Sequence, residues 1–85
     1  MNDDDLNYLK EHAQKHAQQS SLQATVAYDG EDGLLHLMVI MRVGGGQPKS
    51  IRRSVKFQSR PQAEAFIDDI IRLARRARSD SPRLP

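Results

Sequence analysis

The sequence predicts an α+β fold: a helix, a three-stranded antiparallel meander and a second helix, with both helices on one face of the sheet. Three observations carry this. Apolar residues recur at helical spacing near both ends of the chain, the stretch between them alternates with a period of two, and the segments dividing that stretch are short and rich in glycine. Short connections make neighbouring strands antiparallel, and an amphipathic helix has to bury its stripe on a sheet face.

The first helix opens at Asn2 to Asp5, which offer N-cap side chains and acids for the positive end of the helix dipole. Leu6, Leu9, Ala13 and Ala17 then form a narrow stripe, ending near Gln19. From Ser21 the period changes. Leu22, Ala24, Val26 and Tyr28 alternate with Gln23, Thr25 and Ala27, the pattern of a strand with one buried face. Asp29-Gly30-Glu31-Asp32-Gly33 is a hairpin turn, with an Asp-Gly pair and two glycines that tolerate positive φ.

The run Leu34 to Val43 is the strongest strand in the chain. Its odd positions, Leu35, Leu37, Val39, Met41 and Val43, are all apolar and are expected to face the helices. The even positions, Leu34, His36, Met38, Ile40 and Arg42, still carry three large apolar groups, a second set that one covered face does not require. Gly44 to Lys49 is an irregular loop. Although it ends in Lys49-Ser50, it lacks the glycines of a phosphate loop and leads into a strand instead of a helix. Ile51, Val55 and Phe57 then alternate with Arg52, Ser54, Lys56 and Gln58, with Arg53 on the apolar side near an edge.

Ser59 and Gln62 have the spacing of a capping box, with Pro61 in the first turn. Ala63, Phe66, Ile67, Ile70, Leu73, Ala74 and Ala77 make the broad stripe of the second helix, with Ile71 beside it, as far as about Arg78. Residues 1–78 read as a single domain and 79–85 as a disordered polar tail. Helix, three strands, helix is also the element order of the double-stranded-RNA-binding domain. In that family the first helix, the first hairpin loop and the start of the last helix grip RNA. Here the first helix opens on three aspartates, the loop is acidic, and Arg60-Pro61-Gln62-Ala63-Glu64 replaces a lysine cluster.

Charge is divided along the chain. Residues 1–41 carry two bases and seven acids, a net charge of −5, and residues 42–85 carry eleven bases and four acids, a net charge of +7. Such asymmetry steers charged partners. The chain has no cysteine, which removes disulfides, thiolate chemistry and Cys-based zinc sites and fits a reducing compartment. The N-terminus is acidic where a signal peptide would be basic, and no long apolar run exists. The expectation is a cytoplasmic protein without membrane contact. A core of this size is marginal, so association with a second subunit is a natural source of stability.

Catalysis has little to stand on, because no nucleophile–base pair is evident and the acids cluster in termini and turns. The chain reads as a non-enzyme without cofactor or small-molecule substrate. His12 and His16 have a metal-compatible spacing but lack the glutamate of H-E-x-x-H and an evident third ligand, so both read as solvated or boundary residues. His36 stands on a strand with no evident carboxylate partner. Arg72, Arg75, Arg76 and Arg78 follow Glu64, Asp68 and Asp69 along the second helix, which complements its dipole. An Asp68–Arg72 pair is expected there.

The favoured site is the open sheet face, a protein interface made of Leu34, His36, Met38, Ile40, Arg42, Arg52 and Lys56, for a homodimer or a docked partner. It has apolar groups at its centre and cations on its rim. The alternative is a nucleic-acid surface of Arg52, Lys56, Arg72, Arg75, Arg76 and Arg78. Only Tyr8, Tyr28, Phe57 and Phe66 are aromatic, and the last three lie on predicted core faces, which leaves little for base stacking.

Overall fold

A computed structural model describes residues 1–42 and 47–79. The predicted strand position Val43, most of the glycine loop, and the predicted disordered tail from Asp80 onward lie outside the described residues. The elements are α1 (Asp3–Gln18), β1 (Gln23–Asp29), β2 (Leu34–Met41), β3 (Lys49–Lys56) and α2 (Arg60–Ser79). The expected class and order hold. The sheet order is β1-β2-β3 with both pairings antiparallel, so β2 is central. α1 lies over β1, α2 over β2 and β3, and the helices touch each other.

Local chemistry sets each boundary. The side chain of Asn2 accepts a hydrogen bond from the Asp5 N–H at 2.8 Å and caps α1. At its other end the Leu22 N–H bonds to the Ala17 carbonyl at 2.9 Å and the Ser21 N–H to the Gln18 carbonyl at 3.1 Å. These are the two bonds of a Schellman motif, and Ser21 takes the left-handed position with φ 58°. Ala17 and Leu22, at the two ends of its longer bond, are both buried in the core. In the β1–β2 turn the Asp29 carboxylate accepts from Glu31 N–H at 3.0 Å, and Gly33 has φ 70° and bonds back to the Asp29 carbonyl. For α2, Ser59 Oγ accepts from the Gln62 N–H at 3.3 Å as expected. The Gln62 side chain reaches Gln58 N–H at 3.4 Å, one residue further back than a capping box requires. α2 extends through Ser79, a residue beyond the predicted stop.

The odd residues of β2 are the centre of the core. Leu35, Leu37 and Val39 are at most 1% exposed and Met41 4%. Above them sit Leu9, Ala13 and Ala17 of α1 and Ala63, Ile67, Ile71 and Ala74 of α2. The α2 stripe therefore differs from expectation. Ile71 is 1% exposed while Leu73 is 41% exposed, and Ala77 is exposed too. The sheet lies on the Ile67–Ile71–Ala74 side of the helix, which leaves Leu73 on its outer flank. On β3 the expected alternation is present, with Ile51 and Val55 half-buried and Arg53 exposed between them.

Three substitutions test these contacts and this backbone. Leu37→Ala removes a side chain with no exposed surface to spare and is expected to cost about 2–5 kcal/mol in urea denaturation. Leu73→Ala is expected to cost less than about 1 kcal/mol, since its site is already wet. Ser21→Gly relieves the left-handed strain and should stabilise by about 0.5–1 kcal/mol. A loss of stability on that change would show that the Ser21 side chain matters more than its backbone.

Candidate functional site

Register assigns the two faces of the sheet. The odd residues of β2 stand beside Ala24, Val26 and Tyr28 on one side and Ile51, Arg53 and Val55 on the other, under the helices. The even residues face away from the helices. There Asp29, Leu34 and Lys56 make one cross-strand row, Ala27, His36 and Ser54 the next, then Thr25, Met38 and Arg52, and last Gln23, Ile40 and Ser50. Neither α1 nor α2 covers this face.

The seven residues expected at the interface fall as follows. Leu34, His36, Met38 and Ile40 run down the middle of the open face and all four are half-buried. A depression of about 310 Å³ is lined by Thr25, Ala27, His36, Met38, Arg52 and Ser54 among others. Arg52 and Lys56 stand exposed on β3, and Arg42 is exposed one residue beyond β2. His36 has a partner that sequence did not reveal: its Nδ1 and Ser54 Oγ share a 2.6 Å hydrogen bond across the strands. Among the described strand residues of this face Asp29 is the one acid, at the turn end, so the face is positive.

The alternative set is not brought to one face. Arg52 and Lys56 are on the open side of the sheet, whereas Arg72, Arg75 and Arg76 ride on α2 in the helical layer behind it. Arg72 pairs with Asp69 at 3.6 Å, correcting the expected Asp68–Arg72 pair. Arg75 reaches Ser20 Oγ at 3.4 Å. Arg78 belongs to α2 by its backbone, and its side chain lies outside what is described.

Asp68 is turned toward α1 instead. Its Oδ1 lies 2.8 Å from His12 Nε2 and 3.5 Å from His16 Nε2. The rings of Tyr8, His12 and His16 stack in a ladder along α1, with centroids 6.1 and 5.8 Å apart. The Arg60 guanidinium sits 4.6 Å over the Tyr8 ring. A hydrogen bond to the Glu64 carboxylate, with that carboxylate's charge beside it, holds the Tyr8 phenol above its ordinary value. This clasp between the helices was missed by the sequence reading. Each helix carries its half at a spacing of four, Tyr8, His12 and His16 on α1 and Arg60, Glu64 and Asp68 on α2, but spacing within a helix does not tell which half meets which. Both histidines are half-buried. Among the described residues no group of three histidines or acids is arranged to hold a metal ion.

No described helix is long and apolar enough to cross a membrane. Compared with protein-family models, curated proteins and solved structures, the chain matches none.

The clasp makes a distinct stability expectation. Asp68→Ala removes the carboxylate that two imidazoles share and should cost about 0.5–1.5 kcal/mol, reduced from a fully buried pair because the groups are about one-third exposed. Asp69→Ala, in an exposed pair, should change stability by less than about 0.5 kcal/mol. Equal losses in the two variants, measured by denaturant titration at pH 7, would show that the clasp contributes nothing beyond a surface pair.

Proposed function

We propose that this protein is a non-enzymatic binding module that docks another protein on its open sheet face. The reading rests on the row Leu34, Met38 and Ile40, three large apolar side chains that neither α1 nor α2 covers, with Arg52 and Lys56 beside them. Apolar centres ringed by arginine are the anatomy of protein interfaces, and burial of this row supplies the affinity. The surrounding cations supply orientation and encounter rate. Because the face is positive, two such faces opposed would bring like net charges together. The favoured occupant is therefore a partner with an acidic, partly apolar surface. No cofactor or small-molecule substrate enters this reading, and its setting is cytoplasmic, in keeping with a chain that has no cysteine.

Nucleic-acid binding is the second reading, carried by the exposed Arg72 and Arg76 at the end of α2. The helical layer, not the sheet, would then be the surface.

A residue-resolved NMR titration separates the two. An acid-rich amphipathic peptide is expected to shift Leu34, His36, Met38, Ile40, Arg52 and Lys56, and Met38→Asp is expected to weaken that binding at least about tenfold while the α1 and α2 signals stay in place. Peptide shifts confined to the helices would overturn the sheet-face reading. Short DNA or RNA duplexes shifting Arg72 to Arg76, with affinity falling steeply as salt rises, would put the nucleic-acid reading in its place.

A further inference from the structure

The acidic and basic halves of the sequence become opposite ends of the folded molecule. α1 and α2 run parallel, since Tyr8 meets Arg60, His12 meets Asp68 and Ser20 meets Arg75. Both helix N-termini and the β1–β2 turn share one end, where Asp3, Asp4, Asp5, Asp29, Glu31 and Asp32 outnumber Lys56 and Arg60. Arg42, Lys49, Arg72, Arg75 and Arg76 belong to the other end.

The two edges of the sheet differ as sharply. β3 carries Lys49, Arg52, Arg53 and Lys56, and cations along an edge are a common device against strand pairing. β1 reads Gln-Ala-Thr-Val-Ala-Tyr-Asp, uncharged until its last residue and free of proline. The Phe57 N–H donates to the Gly33 carbonyl at 2.9 Å, which sets the phase of the ladder. Odd residues of β2 bond to β3 and even residues bond to β1, so Ala24, Val26 and Tyr28 of β1 turn their N–H and C=O groups outward. Two adjoining grooves of about 330 and 240 Å³ follow this edge beneath α1, sharing Gln14, Ala24 and Thr25 in their walls. The helix leaves the strand open from the side.

We propose that β1 is a self-association edge, pairing antiparallel with β1 of a second copy about a two-fold axis through Val26 to make a continuous six-stranded sheet. The register is self-consistent. Ala24 falls opposite Tyr28 of the second copy and Val26 opposite its own counterpart, all three being outward-bonding positions, while Asp29 meets Gln23 and no like charges face each other. The axis also reverses one molecule against the other, so the acidic end of each lies beside the basic end of its twin. A β3–β3 pairing would reverse the ends as well, but would crowd the cations of two edges together. This inference is independent of the open-face reading.

Analytical ultracentrifugation over a concentration series tests it, together with amide hydrogen exchange at Ala24, Val26 and Tyr28. The expected result is a reversible dimer in which those three amides exchange more slowly as concentration rises. Ala24→Pro removes an outward N–H that the monomer does not use, and is expected to raise the dissociation constant at least about tenfold. Thr25→Lys with Ala27→Lys, and Thr25→Glu with Ala27→Glu, should each be monomeric, and their mixture should dimerise again. Met38→Asp should leave the dimer intact. A protein that is monomeric throughout overturns the inference. So does a dimer that Met38→Asp abolishes, or one whose three amides exchange at the same rate at every concentration.

Discussion

The rest of the structure depends on the alternation of β2. Every odd residue from Leu35 to Met41 is buried and every even residue from Leu34 to Ile40 is half-buried, without a break. A slip of one residue would send the core row to the open side and bring His36 beneath the helices, so the register is strongly determined. Because β2 is the central strand, fixing it fixes both neighbours. The hairpin at Asp29 to Gly33 sets the pairing with β1, and that with β3 follows from the side chains Ile51 and Val55 having to join the covered face.

Above the sheet, polar chemistry aligns two helices that are apolar only underneath. Their buried faces carry four alanines, Ala13, Ala17, Ala63 and Ala74, with Ala24 of β1 packed against them, so the layers approach closely and little bulk holds the helices in register. The clasp of Tyr8, His12 and His16 with Arg60, Glu64 and Asp68 supplies that register along one seam. It also requires the helices to be parallel. Parallel helices add their dipoles: the three aspartates of its first turn suit α1, and the arginines near its C-terminus suit α2. The polarity of the molecule thus serves the stability of its helices before it serves any partner.

These constraints leave three surfaces that differ in kind. The open face is apolar in the middle and positive at its side, β3 is a cationic edge, and β1 is a neutral edge with outward backbone groups. A chain with a thin core gains from covering either of the first and last, and the cations of β3 direct association away from itself. Docking on the open face and pairing at β1 use different atoms and are compatible in one assembly, since a six-stranded sheet would present two open faces side by side.

The class, the element order and the odd face of β2 were legible in the sequence because they rest on periodicity, which is local. So was the row Leu34, Met38 and Ile40, whose excess of apolar groups is visible in the same alternation. The cap at Ser59 was legible too, since a cap acts within three residues, and the cap at Asn2 was one of several candidates from Asn2 to Asp5. What the sequence could not supply were contacts between elements far apart in the chain. Asp68 was assigned to Arg72 by helical spacing, yet it lies 2.8 Å from His12, and the exposure of Leu73 in place of Ile71 was set by where the sheet lies under α2. The division of the cations was likewise decided in three dimensions: Arg52 and Arg72 share a sign and a region of sequence, but a strand and a helix on opposite sides of one sheet keep them apart. Periodicity tells which face of an element is buried. Only the packing of one element on another decides what that face meets.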